Sequence, residues 1–128
     1  MTYYFSRTVS GGFDDVLRRA TDSLKRAGFG IITEIDVTDT LRKKIGVEFR
    51  RYRILGACNP SYAHQALAIE DKIGTMLPCN VIVQETKDGK IEVAAIDPVA
   101  SMAAVDNPKL KSLAGQVGEM LKKVVAEI

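Results

Sequence analysis

The stretch from Gly56 to Asn80, GACNPSYAHQALAIEDKIGTMLPCN, constrains the fold more than any other part of the chain. It follows an apolar run, contains an Asn-Pro pair typical of a helix start, and leads into a second apolar run. The stretch therefore predicts a strand end, a capped helix and a new strand. It also holds both cysteines and the only histidine of the chain. Any chemistry that needs a thiol or an imidazole has to be sought here.

Alternating apolar and polar residues predict strands elsewhere in the chain, over residues 2–9, 31–37, 49–58, 81–83 and 91–95. Apolar residues at helical spacing predict a helix capped by Ser10, a short helix capped by Thr38, and a C-terminal helix after Asn107. Asp88-Gly89 between apolar runs indicates a hairpin. The resulting order, β-α-β-α-β-α-β-β-α, predicts an α+β fold with a mainly antiparallel sheet and helices packed on one face.

Length and charge narrow the classes of protein. With 128 residues the chain is expected to form a single domain, residues 1–128. Eighteen basic residues face sixteen acidic ones, so nucleic acid is not an expected partner, and the basic run at residues 42–53 is interpreted as a solvated face. No leader-like N-terminus and no apolar run of bilayer length is present. Two cysteines far apart in sequence fit a reducing compartment, which predicts a cytoplasmic protein. Because no apolar run is long enough to span a bilayer, we expect no membrane partner.

Cys58 and Cys79 flank the predicted central helix. Cys58 comes directly before the helix start, where the positive end of the helix dipole favours a thiolate; the alternative is a buried cysteine that acts as a small hydrophobic residue. Cys79 begins the next strand. If the two flanking strands are antiparallel neighbours, the thiols approach each other, whereas a parallel crossover places them at opposite ends of the sheet. We expect the antiparallel arrangement.

His64 and Asn59 have both a structural and a functional interpretation. His64 lies in the second turn of the predicted helix, and helical side chains lean toward the N-terminus, so it can approach Cys58 as a base or a third ligand. The alternative is a surface or hydrogen-bonded histidine with no role in a site. The Cys and His spacing matches no standard zinc pattern, so we predict no metal and no cofactor. Asn59-Pro60 recurs as Asn107-Pro108, which favours capping as its role. Leu67 is interpreted as core.

The central stretch resembles the bacterial and archaeal family known as domain of unknown function 302. The resemblance rests on Gly56-Ala57-Cys58-Asn59-Pro60, Ala63, Ala66-Leu67, Ile73-Gly74, Leu77-Pro78-Cys79-Asn80-Val81 and Val83. It extends more loosely to Gly28-Phe29, Asp36, Asp88-Gly89 and Asp97-Pro98. The resemblance implies a TATA-binding-protein-like α+β fold and a site near the two cysteines, with Asn80 as a further candidate; His64 is not part of the family pattern. Similarity of fold to a DNA-binding protein implies no DNA binding.

Two functional hypotheses follow. The first is a small cytoplasmic ligand-binding or sensing module, expected to be a homo-oligomer (a dimer), with a small-molecule site formed by Cys58, Asn59, His64, Cys79 and Asn80. The second is a thiol-dependent enzyme or redox protein in which Cys58 reacts and Cys79 resolves or binds. A third hypothesis, nucleic-acid binding, is the least favoured.

Overall fold

Five strands, five α-helices and one 3₁₀ helix form two layers in the computed structural model, which describes residues 2–128. The strands are β1 Tyr4–Val9, β2 Gly30–Asp36, β3 Tyr52–Cys58, β4 Cys79–Glu85 and β5 Ile91–Ile96. The α-helices are α1 Phe13–Arg26, α2 Val37–Ile45, α3 Pro60–Ile69, α4 Pro98–Ser101 and α5 Pro108–Ala126, and the 3₁₀ helix is Asp71–Met76.

The strands form a single sheet in the order β1-β5-β4-β3-β2, and every neighbouring pair is antiparallel. The β4–β5 hairpin encloses the predicted Asp88-Gly89 turn, where Gly89 has a positive φ of 78°. That conformation is open to glycine and strained for most other residues. These observations confirm the predicted α+β fold and its antiparallel sheet.

The main core lies between one face of the sheet and helices α1 and α5. Alternate strand residues point toward the helices, and Leu55, Val81, Val83 and Val93 are almost fully buried there. The apolar faces of the two helices pack against these strand residues. Their buried residues are Phe13, Val16, Ala20 and Leu24 of α1 and Val117, Leu121, Val124 and Val125 of α5. The helices thus pack on one face, as predicted.

Two predicted caps were wrong. Helix α1 begins after Gly12 and has no side-chain cap, because Ser10 lies too far from the first turn. Helix α2 is capped by Asp36, whose carboxylate accepts from the Asp39 N–H at 3.0 Å. Thr38 instead joins α2 to the start of β3: its hydroxyl donates to the Arg50 carbonyl at 2.6 Å and accepts from the Tyr52 N–H at 3.1 Å.

A second, smaller core lies at one end of the molecule, where α3, the 3₁₀ helix, α4 and the N-terminal half of α5 meet. Its buried residues are Ala66, Ile73, Met102, Leu110 and Ala114. Three Asx-Pro pairs begin the helices of this region, since Asn59, Asp97 and Asn107 each accept from a backbone N–H of the following turn. This end of the fold positions the candidate site.

Candidate functional site

An apolar cavity of about 330 Å³ opens beside the second core. Its walls come from the end of the sheet, from α3 and from the first half of α5. The lining residues are Phe29, Ile32, Ala57, Cys58, Asn59, Tyr62, Ala63, Ala66, Leu67, Gly74, Leu77, Pro78, Cys79, Pro98, Met102, Leu110, Leu113, Ala114 and Val117. None of these residues is charged, and the volume falls in the range typical of small-molecule sites.

The central stretch builds this cavity through its turn from β3 into α3. The Asn59 side chain accepts from the Tyr62 N–H at 3.4 Å, and Pro60 occupies the first helical turn. The helix then leaves the sheet edge with Ala63 and Ala66, three residues apart, facing the cavity. Because both side chains are short, the helix encloses space instead of filling it.

Both cysteines are free and line this same cavity. Strands β3 and β4 are antiparallel, so the expected arrangement of the flanking strands is correct. Cys79 pairs with Ala57, which is the residue before Cys58, so the two cysteines are offset by one position in the strand register. They form no disulfide.

The Cys79 thiol is held in its neutral form. Burial in the apolar wall raises its pKa from 9.0 to about 11, and the nearby Cys58 adds a smaller effect in the same direction. A neutral thiol is a poor nucleophile and a poor metal ligand, since both roles use the thiolate. Cys79 therefore behaves as a polarizable, weakly polar part of the wall.

Two of the predicted site residues lie elsewhere. His64 is exposed on α3 and does not line the cavity. Asn80 is exposed and pairs with Gly56 on the opposite face of the sheet, because it directly follows Cys79 and strand residues alternate between faces. Within residues 2–128, no three His, Cys, Asp or Glu side chains are grouped to hold a metal ion.

Several cavity residues were missed by sequence reasoning or given another role. Leu67 was predicted to be core but is 43% exposed at the cavity. Met102 and Leu110 come from the α4–α5 region, whose return to the central stretch is visible only in three dimensions. The sequence signals for the cavity are the two cysteines that flank the central helix and the pair Ala63 and Ala66, whose small side chains share a helix face.

Four of the six basic residues in the run, Arg42, Lys43, Arg51 and Arg53, are paired with acidic groups, in agreement with a solvated face. Arg51 contacts Asp14 at 2.7 Å, and Arg53 contacts Glu34 and Asp36. Arg42, the first residue of the run, lies near Asp39 and Glu48. Exposed pairs of this kind contribute little to stability but neutralise the surface that a phosphate backbone would need.

Comparison with known proteins places the chain in a family. The family model described as "Domain of unknown function DUF302" matches residues 5–128. The chain belongs to the DUF302 family. This membership confirms the predicted resemblance and assigns no activity.

A crystal structure of an uncharacterized conserved DUF302 protein from Bacillus stearothermophilus has the same fold. It is 27% identical in sequence, with a TM-score of 0.92, and the match covers 99% of this chain and 98% of that chain. No curated protein matches the DUF302 chain described here. In the part of the chain that the structure describes, no helix has both the length and the apolar composition needed to cross a membrane.

Proposed function

We propose that this DUF302 protein is a small-molecule-binding or sensing module whose cavity takes an uncharged, largely apolar ligand. The observation that supports this proposal most strongly is the composition of the walls. Nearly twenty residues line the cavity of about 330 Å³, and none of them is charged. Burying an ionised group among such walls without a partner is costly, whereas apolar surface gains about 25 cal/mol per Å². The chemistry of the walls therefore favours neutral ligands.

Cys58, Asn59 and Cys79 are the predicted site residues that this proposal retains. Cys79 supplies a neutral thiol, and Asn59 is one of the few polar residues of the lining. His64 and Asn80 are not assigned to the cavity, since both are exposed outside it.

The thiol-enzyme hypothesis receives less support. A resolving or attacking cysteine works as a thiolate, and burial raises the pKa of Cys79 to about 11. Binding in the cavity needs no such ionisation, so we place it first. The cytoplasmic location and the homodimer also remain proposals, and neither depends on the ligand.

Direct binding of a neutral probe tests the proposed function. We expect octan-1-ol to bind by calorimetry or by NMR shifts at Ala66 and Met102, while octanoate, which has the same chain length and a charge, binds at least tenfold more weakly. Ala63→Phe fills the cavity from α3 and should abolish binding. Ala68→Phe adds the same ring to an exposed position of the same helix that does not line the cavity, and should bind as the natural protein does.

Circular dichroism of both variants shows whether they fold. Equal binding by folded Ala63→Phe and Ala68→Phe, or a preference for octanoate, would contradict the proposal.

A further inference from the structure

The sheet face opposite α1 and α5 is uncovered. We call it the open face, and its residues are Tyr4, Ser6, Thr8, Thr33, Ile35, Tyr52, Ile54, Gly56, Asn80, Ile82, Gln84, Glu92, Ala94 and Ile96. A concavity of about 370 Å³ lies on it, lined by strand residues and Tyr3 and by no helix residue. Tyr3, Tyr4 and Ile35 are 62%, 41% and 46% exposed. Exposed apolar surface on this scale is typical of an interaction site.

The charged groups of the open face are satisfied within the chain. Gln84 donates through Nε2 to Glu92 at 2.8 Å and accepts through Oε1 from Arg50 at 3.0 Å. The Arg50 guanidinium also stacks over the Phe49 ring, 4.3 Å from its centre. One negative and one positive group are thus linked through a neutral amide at one end of the face. The rest of the face offers no charge for a polyanion and matches a partner surface that is likewise neutral and apolar.

One row of the open face is graded in size. The strand register aligns Ser6, Ala94, Ile82, Ile54 and Ile35 across the five strands, from small residues on β1 and β5 to large ones on β3 and β2. A two-fold axis along the central strand β4 would reverse this row on a second copy. Ala94 would then face Ile54 of the partner subunit, Ser6 would face Ile35 of the partner subunit, and Ile82 would meet its own equivalent.

The concavity agrees with this reversal, because it lies over β4 and β5, where Ala94 leaves space. The partner's Ile54 is the residue that the two-fold axis brings to it. An axis perpendicular to the strands would instead place each residue of the row against its equivalent, with large on large and small on small. The graded row therefore selects one of the two aligned ways of stacking the sheets.

We propose that the open face is the interface of a symmetric dimer with its two-fold axis along β4. Five strands about 4.8 Å apart, with about six residues each, present a flat area of about 500 Å² per copy. Specific complexes bury about 800 Å² per partner, and side-chain relief together with the exposed Tyr3 and Tyr4 rings brings the face toward this size. We expect a dimer with micromolar affinity. The proposal is independent of the cavity, which shares no lining residue with the concavity of the open face.

Sedimentation equilibrium over a range of concentrations tests the interface. The natural protein should approach twice the 14.0 kDa mass of one chain near about 100 μM. Ile82→Asp places a charge at the centre of the interface and should weaken the dimer at least a hundredfold. Ile45→Asp changes an exposed isoleucine of α2 outside the open face and should leave the dimer unchanged. A monomeric natural protein, or a dimer that tolerates Ile82→Asp, would overturn the proposal.

A size swap tests the axis itself. Ala94→Ile and Ile54→Ala should each weaken the dimer about tenfold, because one adds large to large and the other leaves a gap. Within one chain the two positions are separated by β4, so they do not contact each other directly in the row. The double variant restores small against large across the axis and should recover most of the affinity. Additive losses in the double variant would rule out this axis, and thermal unfolding of each variant separates misfolding from dissociation.

Discussion

The two hydrophobic cores share helix α5 but fill their space differently. The sheet core packs Leu121 and Val124 of α5 against α1 and four strands, and nearly every large side chain in it is fully buried. The end core packs Leu110 and Ala114 of the same helix against small or irregular elements, and it borders the cavity. The C-terminal half of α5 therefore stabilises the sheet core, and its N-terminal half borders the candidate site.

The difference arises from the elements that each half of α5 meets. Regular strands present a row of apolar residues every second position, and such a surface is filled by an amphipathic helix. The other half meets α3 and the one-turn helix α4, and α3 presents the short side chains of Ala63 and Ala66 to the cavity. We conclude that the cavity lies where the well-packed layer ends and α5 meets short side chains of α3 and a helix of one turn.

The largest expected effect is a difference in the free energy of unfolding between two leucine-to-alanine variants, one in each core. Leu121→Ala removes a fully buried side chain from the sheet core and should lower the free energy of unfolding by about 4 kcal/mol. Leu110→Ala removes an equally buried side chain beside the cavity and should cost about 2.5 kcal/mol, because the removed atoms already lacked neighbours on one side.

Urea denaturation of both variants measures the two costs. The two substitutions lie on one helix and delete the same atoms, so helix propensity cancels between them. Equal costs would break the comparison, since they would mean that the end core is as well filled as the sheet core.

The next effect uses pH to measure how apolar the cavity wall is. Burial raises the pKa of Cys79 from 9.0 to about 11, so the folded protein keeps the proton at pH values where the unfolded chain loses it. The stability that this thiol contributes is complete below about pH 9 and is lost as the pH rises toward 11. Between these limits, we expect the natural protein to lose about 2 kcal/mol more than Cys79→Ala.

Other groups also titrate in this range, so the comparison between proteins matters more than either curve. Cys58→Ala retains the buried Cys79 thiol and should follow the natural protein. If Cys79→Ala and the natural protein lose stability in parallel, the wall is hydrated and the proposal of an apolar ligand is weakened. The ultraviolet absorbance of the natural protein minus that of Cys79→Ala gives the pKa of this thiol, because the tyrosines, which titrate in the same range, cancel in the difference.

The sequence predicted the sheet core well and the end core poorly. Alternation and helical spacing are local patterns, and they identified all five strands and the stripes of α1 and α5. The Asx-Pro pairs gave the starts of α3 and α5 because capping acts within one turn. The predicted cap Ser10 was wrong because this residue lies outside the first turn of α1. The predicted cap Thr38 was wrong because its hydroxyl bonds to the start of β3 instead.

The cavity depends on distances along the chain that no local pattern records. Leu110 and Met102 line the same cavity as Cys58 through the path of α4 and α5, and Leu67 lines it with 43% of its surface exposed. The antiparallel placement of Cys58 and Cys79 was expected and is confirmed, although a connection that contains a helix also fits a parallel crossover. A site lined by both cysteines was predicted, but the contribution of α5 to its walls was not.

The smallest expected effect decides whether Asn59 belongs to the architecture or to the site. Asn59 accepts one long backbone hydrogen bond of 3.4 Å, whereas Asn107 accepts two, at 3.1 and 3.4 Å. We therefore expect Asn59→Ala to cost about 0.5 kcal/mol of stability and Asn107→Ala about 1 kcal/mol. Since Asn59 also lines the cavity, octan-1-ol affinity should be measured on both variants. Loss of affinity in Asn59→Ala alone would make its amide a ligand contact; equal affinity would leave it a cap, and the neutral walls would carry binding by themselves.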